Sequence, residues 1–390
     1  MKINENLVVI NSSEFYDDGT RKHFRSGIEQ QIEELAKHFK KAYLYAPQTQ
    51  TEFEGYVMRA VEVRPLCQGL HTTLGEFLRR RGDYRKSLEN IIEHHKNDFF
   101  CIYFPDSFIG VIAAGLAKKH KLKFCLRITA DLAQEFKMRG ASKCRKLLSV
   151  FVNPMLNSRM SKLVENTLAF YSGMDIYKAK GEHYVITSAS FDRGVMFKRS
   201  DTCKRKPYKI LYVGRFDKKK GIEFLISAMS ILNKKGYDVR LTIVGFGGEE
   251  TELRRVVEHL KLGNVVEFKG FVPFGPKLFN EYKKADIFVF PSLEDIQGKS
   301  YLEAMAFGVP VIATNVGCIS NYVTDKKTGL LINPESSEEI YNAIVRITEY
   351  PKLRKKLIVN GYEIAKKCTL KRQADFMISK IGRYFKYVIR

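Results

Sequence analysis

The sequence lacks the cysteine and histidine spacings that hold metal ions or build disulfide frameworks. Its seven cysteines are scattered and odd in number, and no two of them form a CxxC pair. None of its eight histidines belongs to an H-x-x-x-H or H-x-x-E pattern. We therefore expect no zinc site and no disulfide scaffold, and the cysteine usage fits a reducing compartment.

The sequence also lacks an uninterrupted hydrophobic run long enough to cross a membrane. The longest candidate, Phe99–Ala117, approaches spanning length but is cut in its middle by Pro105 and Asp106. It is better explained as a buried strand, Phe99–Phe104, followed by a helix, Ser107–Lys118. The first six residues are polar, so a secretory leader is not expected either.

Acidic residues are scarce, because 66 lysines and arginines face only 43 aspartates and glutamates, for a formal net charge of +23. The excess is spread over both halves and is densest between Lys118 and Lys146, where Asp131 and Glu135 are the only acids. Such a surface attracts nucleic acid, anionic lipid or phosphorylated substrates, although a solvated lysine-rich surface explains it equally well. No known nucleic-acid recognition module is present, so nucleic acid is not an expected partner.

Short apolar runs alternate with amphipathic segments, the pattern of a doubly wound α/β fold. In the second half the predicted strands are Lys209–Gly214, Val239–Gly245, Val265–Phe268, Ile287–Phe290, Val309–Ala313 and Gly329–Ile332. The helices predicted between them are Ile222–Asn233, Glu249–Leu262, Lys277–Lys284, Ser300–Phe307 and Glu338–Thr348. The first half is predicted to have strands Leu7–Ile10, Ala42–Tyr45, Val57–Val63 and Lys123–Ile128, with helices Ile28–Phe39 and Tyr84–His95. Both halves are therefore predicted as Rossmann-like domains.

Two domains follow from this alternation. Residues 1–200 form the first and residues 207–368 the second, with the polar, basic segment Asp201–Pro207 as the linker and residues 369–390 as a terminal amphipathic helix. Ligands of such folds bind beyond the carboxyl ends of the strands, so the expected site is a cleft between two sheets.

The first candidate site is the segment Gly214–Gly221, where a predicted strand turns into a helix. Gly214 permits a sharp turn there. The helix N-terminus offers unpaired N–H groups that favour an anion, Arg215 offers a planar fork for phosphate oxygens, and Lys220 offers a point charge. A basic surface turn would look the same, and the segment does not match a Walker loop.

The second candidate site is the segment Pro291–Ala306, which follows the predicted strand Ile287–Phe290. Asp295 and Glu303 lie eight residues apart on either side of a glycine loop, and Gly298–Ser300 would place backbone N–H groups at a second helix N-terminus. A carboxylate one turn into that helix can accept hydrogen bonds from ribose hydroxyls. A capped surface helix with solvated acids is the alternative.

Together these segments resemble the retaining glycosyltransferases of family 4, which have the GT-B fold. The resemblance covers residues 207–350 and rests on VGRFDKKKG, LTIVGFGGE, VEFKGFVP, ADIFVFPS, GKSYLEAMAFGVPVIAT and TGLLI in this order. It implies that Arg215 and Lys220 contact the diphosphate of a nucleotide-sugar donor and act in catalysis. It also implies that Glu303 holds the ribose. Further donor contacts are implied at Gly214, Gly245, Phe271, Ile296, Gln297, Gly298, Lys299 and Ser300.

Two residues depart from the family's pattern. Asp295 stands where the first glutamate of an E-x(7)-E motif is usual, at the position that faces the transferred sugar. Phe246 stands near the base-binding region, where a polar or acidic residue is common. The base identity stays open on these grounds, with a UDP-sugar favoured over a GDP-sugar. The family's other large fold binds metal through D-x-D, and no such triplet occurs here, so neither a metal nor another cofactor is expected.

The first half resembles the family more faintly. Ser26-Gly27-Ile28-Glu29 matches the glycine-rich loop that approaches the donor phosphate, so Gly27 is a candidate donor contact. Asp131 follows the strand Lys123–Ile128 and is a candidate catalytic residue, since relatives have a histidine–aspartate pair near this point.

The resemblance implies a retaining transferase that acts on a glycan or lipid-linked glycan acceptor in cell-surface polysaccharide synthesis. It would be cytoplasmic, with peripheral attachment to an anionic membrane surface through Lys118–Lys146 and Leu147–Phe151 as a further option. The terminal helix would return to the first domain or touch that membrane. A sugar-nucleotide epimerase of the same fold and a non-catalytic basic binding subunit remain the alternatives.

Overall fold

The computed structural model describes most of the chain, in two compact units. The described residues are 2–24, 28–53, 55–68, 74–104, 108–129, 157–173, 176–186, 190–295 and 298–387. One unit comprises Met1–Thr187 with Lys371–Arg390, and the other comprises Ser188–Leu370. Within the described ranges, no helix combines the length and the apolar composition that crossing a membrane requires.

The N-terminal unit is built on a mostly parallel sheet. Its described strands are β1 Leu7–Ile10, β2 Phe15–Asp17, β3 Lys22–Phe24, β4 Ala42–Thr49, β5 Tyr56–Val57, β6 Glu62–Gln68, β7 Phe99–Phe104, β8 Lys123–Ile128, β9 Leu168–Ser172 and β10 His183–Ile186. They follow the order β10-β9-β8-β7-β1-β4-β2-β3-β5, with β6 beside β4, and only the β2–β3 and β3–β5 pairs are antiparallel. The described helices are α1 Glu29–Ala36, α2 Leu74–His94, α3 Phe108–Lys119, α4 at 157–164 and, from the chain end, α11 Leu370–Tyr384.

Helices cover both faces of this sheet, which explains why its central strand β1 is apolar throughout. On β1, Leu7 and Val9 belong to the core that also holds Ile32 of α1 and Met377 of α11. The alternate residues of β1 pack into a second core together with α2 and α3. Since successive side chains of a strand point to opposite faces, a strand buried on both sides has few polar positions.

The C-terminal unit is a six-stranded parallel sheet, flanked by helices and built from the alternation that the sequence predicts. Its strands are β11 Tyr208–Val213, β12 Val239–Val244, β13 Val266–Gly270, β14 Ile287–Phe290, β15 Val311–Thr314 and β16 Leu330–Ile332. Its helices are α5 Ile222–Lys234, α6 Glu250–His259, α7 Pro276–Lys284, α8 Ser300–Ala306, α9 Ser337–Glu349 and α10 Pro351–Lys367. The order β13-β12-β11-β14-β15-β16 runs outward in both directions from the β11–β14 pair. That pair is therefore the topological switch point, where loops diverge and ligands of such sheets bind.

Several elements differ from the sequence-based expectation. The predicted strand Val57–Val63 is two strands, β5 and β6, and the predicted helix Tyr84–His95 is the second half of the longer α2. The small strands β2 and β3 and the helix α10 have no counterpart in the prediction. Periodicity does not reveal a three-residue strand, because so short a segment has no period to measure.

The segment Asp201–Pro207, predicted as the linker, lies within the C-terminal unit. The carboxylate of Asp201 accepts hydrogen bonds from Arg354 of α10, whose Nε lies 2.7 Å away. The backbone N–H of Cys203 donates to the carboxylate of Asp286 at 2.7 Å. The polar composition that resembles a linker therefore serves to attach the segment to the folded unit.

Replacing Arg354 with methionine is expected to destabilise the C-terminal unit by about 3–5 kcal/mol, because the Asp201 carboxylate loses its buried, hydrogen-bonded partner. Arg354 is 5% exposed, and it also donates to the carbonyl oxygens of Ile347 and Thr348. The matched control is Lys355→Met, since Lys355 approaches the same Asp201 at 3.8 Å with a side chain that is 58% exposed. That control should cost less than about 1 kcal/mol. Urea denaturation measures both values, and equal effects would contradict the assignment.

Candidate functional site

The switch point brings two loops of the C-terminal unit side by side. Since β11 and β14 are adjacent and parallel, the segments that follow them leave the sheet at the same edge. Backbone hydrogen bonding joins the segments, because the N–H of Leu293 donates to the carbonyl oxygen of Lys219 at 2.7 Å. A Cβ on Gly221 would lie 2.3 Å from the carbonyl oxygen of Pro291, so only glycine permits this approach. The two candidate segments found in the sequence are therefore one site.

Arg215 is presented outward from the first loop. The buried Tyr212 donates its hydroxyl to the carbonyl oxygen of Arg215 at 3.1 Å, and burial raises the pKa of Tyr212, so the donor stays protonated. The Arg215 side chain is exposed, and it forms neither an ion pair nor a hydrogen bond with any residue that the structure describes. A fixed backbone with an available guanidinium is suited to receiving an anion.

Lys220 lies between the two loops, close to Asp295. Its Nζ is 3.4 Å from Oδ2 of Asp295 and 3.4 Å from Oγ of Ser292, and it lies over the ring of Phe290 at 5.4 Å. The Asp295 side chain is 2% exposed, so the carboxylate is buried with the ammonium as one of its partners. The structure therefore brings together the predicted residues Lys220 and Asp295.

The glycine loop, Gly298–Ser300, follows Asp295 in the sequence. A Cβ on Gly298 would lie 2.9 Å from Oδ2 of Asp295, which places Gly298 beside the Lys220–Asp295 pair. Lys299 is the N-cap residue of α8 and Ser300 its first residue, and both are half-buried. The predicted donor contacts Ile296 and Gln297 lie outside the described residues.

Glu303 lies in the first turn of α8 and is 6% exposed. The hydroxyl of Tyr282 donates to its Oε2 at 2.7 Å, and the hydroxyl of Ser190 donates to its Oε1. Sequence reasoning did not single out either hydroxyl. Neither Tyr282 nor Ser190 belongs to a recognisable motif, and their distance from Glu303 along the chain leaves no local signal.

The neighbouring strands add two exposed aromatic rings to this edge of the sheet. Gly245 directly follows β12 with φ of 141°, and a Cβ there would lie 1.8 Å from the carbonyl oxygen of Gly214. The next residue, Phe246, is 51% exposed, and its ring meets that of Phe271 at 5.4 Å between centroids. Gly214, Gly245 and Phe271, all predicted donor contacts, therefore lie along one edge with Arg215.

The candidates from the first half are not tested by this geometry. Gly27, Asp131 and the basic and apolar segment from 130 to 156 lie outside the described residues. Within the described ranges, no group of three or more His, Cys, Asp or Glu side chains is arranged to hold a metal ion.

Comparison with known proteins identifies relatives of the C-terminal unit. Residues 197–364 match the family described as glycosyl transferases group 1. An uncharacterized glycosyltransferase of Methanocaldococcus jannaschii is 33% identical over 158 residues, which are 40% of this chain and 40% of that protein. A putative colanic acid biosynthesis glycosyltransferase, WcaL of Escherichia coli, is 35% identical over 136 residues, or 33% of each chain. The alignments thus span less than half of these relatives.

Solved structures extend the likeness to the whole chain at the level of fold. Sucrose-phosphate synthase from Thermosynechococcus elongatus has a TM-score of 0.75 with 18% identity, covering 99% of this chain and 100% of that chain. HepE of Anabaena, solved in complex with UDP and glucose, has a TM-score of 0.68 with 16% identity and the same coverage. The predicted GT-B fold class, mixed α/β with parallel sheets, is confirmed.

Replacing Gly245 with alanine is expected to destabilise the unit by more than about 2 kcal/mol, since the side chain would both strain the backbone and strike the Gly214 carbonyl. Gly248 is the matched control, because a Cβ there meets nothing within 4 Å. Gly248→Ala should change stability by less than about 0.5 kcal/mol. Thermal unfolding compares the two variants. An unchanged Tm for Gly245→Ala would show that the backbone beside Gly214 has room for a side chain at this position.

Proposed function

We propose that this protein is a retaining glycosyltransferase that moves a sugar from a nucleotide-diphosphate sugar to a glycan or lipid-linked glycan acceptor. The observation that carries the proposal is the arrangement at the switch point of the C-terminal sheet. There an exposed Arg215, the ammonium of Lys220 and a buried Glu303 follow strands that end at one edge. Two cations fit a diphosphate, and a carboxylate fits the diol of a ribose.

The proposed reaction depends on the donor's leaving group, the nucleoside diphosphate. The bond between the anomeric carbon and the diphosphate oxygen breaks, and the acceptor oxygen bonds to the same face of that carbon. The acceptor proton passes to the departing diphosphate. Arg215 and Lys220 stabilise the negative charge that develops on this diphosphate, so no metal ion is required in the proposal.

Asp295 has a proposed role beyond the one implied by the family's glutamate. It is buried against Lys220, and this ion pair holds the ammonium at the edge of the sheet. We assign Asp295 to orienting Lys220 as well as to facing the transferred sugar. Asp131 of the N-terminal unit remains a proposed catalytic residue on the sequence resemblance alone.

The donor's base is proposed to lie near Phe271 and Phe246. Both rings are about half exposed, and aromatic rings stack on nucleobases. A UDP-sugar is the favoured donor, and the structure of HepE with UDP and glucose supports that choice by its shared fold. The likeness to WcaL supports a role in cell-surface polysaccharide synthesis.

Removing either cation is expected to weaken the binding of nucleoside diphosphates by roughly 10- to 100-fold, the loss that follows from one charge-assisted hydrogen bond. The variants are Arg215→Ala and Lys220→Ala, measured by calorimetry with UDP and GDP. Lys218→Ala is the control, because Lys218 is exposed in the same turn and contacts neither loop acid. Arg215→Ala leaves the Lys220–Asp295 pair intact, so it tests the site independently of that pair's stability. Unchanged affinity in both variants would reject the proposed binding of the diphosphate by Arg215 and Lys220.

The epimerase alternative makes a different product. A transferase releases the nucleoside diphosphate and needs an acceptor for turnover, whereas an epimerase converts the free nucleotide sugar without one. Incubating the protein with UDP-sugars in the absence of acceptor should therefore yield no epimer. An epimer formed under these conditions would favour the alternative.

Membrane attachment is a separate proposal. The net charge of +23 suits an anionic bilayer surface, with the protein on the cytoplasmic face. Sedimentation with vesicles should show binding to those with about 30% phosphatidylglycerol, above binding to neutral vesicles, and less of it at high salt. Equal and negligible binding to both would reject it.

A further inference from the structure

The carboxylate of Glu303 is held by two hydroxyl groups rather than by a cation. Tyr282 donates to one oxygen at 2.7 Å, and Ser190 donates to the other. Among the described residues, no lysine, arginine or histidine forms an ion pair with Glu303. A buried carboxylate costs free energy unless its charge is compensated, and charge-assisted hydrogen bonds supply that compensation here.

Both donors are held on rigid parts of the unit. Tyr282 lies in α7 and is fully buried, with its ring stacked on Phe307 at 5.6 Å and tilted on Phe288 at 5.9 Å. Ser190 is 3% exposed and precedes Phe191, whose carbonyl oxygen accepts a hydrogen bond from the N–H of Leu370 at 3.0 Å. The hydroxyls therefore have fixed positions, and they define the plane of the carboxylate between them.

Tyr282 stays a hydrogen-bond donor at neutral pH. Burial and then the neighbouring Glu303 carboxylate raise the pKa of Tyr282 well above its ordinary value. The phenol consequently keeps the proton that it donates to Glu303.

Two acceptor positions of Glu303 are not used by any side chain that the structure describes. An ionised carboxylate offers about four lone-pair positions, and the hydroxyls of Tyr282 and Ser190 occupy one on each oxygen. The vicinal hydroxyls of a ribose require two acceptors at a fixed spacing, one from each oxygen. A carboxylate free to rotate would present this pair only part of the time, whereas one held by both oxygens presents it continuously.

We propose that Tyr282 and Ser190 are positioning residues, which orient Glu303 so that it receives both hydroxyls of the donor's ribose. This inference rests on the proposed function, because it takes the ligand to be a ribonucleotide. Neither residue touches the ligand, and each acts through the carboxylate of Glu303.

Paired nucleotides that differ only in the diol test the proposal. Calorimetry with UDP and GDP and with their 2′,3′-dideoxy counterparts gives the preference for the ribose hydroxyls in each protein. Tyr282→Phe and Ser190→Ala should each weaken the binding of the ribonucleotide by about tenfold and leave the affinity for its dideoxy counterpart unchanged. Tyr341→Phe is the matched control, because Tyr341 is a buried tyrosine in the core on another helix, α9. It should keep the full preference.

The possible outcomes distinguish a failure of this inference from a failure of the proposed function. A wild-type protein that binds none of the four nucleotides, or that binds each pair equally, would overturn the proposed role of Glu303 and the inference with it. A wild-type preference that persists in both variants would overturn the inference alone. Equal losses for both members of a pair would also overturn it, since that result describes general damage to the unit. If Tyr282→Phe does not fold, as judged by its Tm, Ser190→Ala carries the same test.

Discussion

The candidate site depends on the close contact between the two loops that leave β11 and β14. A backbone hydrogen bond from Leu293 to Lys219 joins them, and Gly221 lies so near the carbonyl oxygen of Pro291 that no side chain fits between. The hydrogen bond and the close approach at Gly221 hold each loop against the other. The parallel pairing of β11 with β14 makes the contact unavoidable, because it brings both strand ends to one edge.

At this edge of the sheet, the carboxylates of Asp295 and Glu303 have partners within the protein. The cationic groups of Arg215 and Lys220 remain available to a ligand. Asp295 is buried against Lys220, and Glu303 is buried against two hydroxyls. Arg215 is exposed, and Lys220 keeps donors beyond the one directed at Asp295. An ammonium has three hydrogens, so pairing with a carboxylate orients it without exhausting it. The resulting edge is prepared for an anion before any ligand arrives, which lowers the cost of ordering it on binding.

Site residues that directly follow a strand could be predicted from the sequence. Site residues that come together only through packing could not. Gly214, Lys220, Asp295 and Glu303 could be placed because a glycine or proline marks the end of an apolar run, and parallel strand ends share an edge. Tyr282 and Ser190 could not be placed, since an interior tyrosine of an amphipathic helix looks like a core residue and a lone serine has no pattern. The segment Asp201–Pro207 resembled a linker for a related reason. Its polar residues are satisfied by partners such as Arg354, far away along the chain and invisible to local composition.

Asp295 and Glu303 therefore differ in kind, although their eight-residue spacing makes them look equivalent in the sequence. Asp295 has the ammonium of Lys220 as one partner, and this ion pair orients Lys220. Among the described residues, the side-chain donors to Glu303 are neutral hydroxyls, which orient a carboxylate without cancelling its charge. In the proposed site a ligand anion near Lys220 competes with Asp295, whereas a ligand hydroxyl near Glu303 meets lone pairs that Tyr282 and Ser190 do not use. The shorter side chain of Asp295 suits the first situation, because a carboxylate held close to the backbone leaves the ammonium room to serve a second partner.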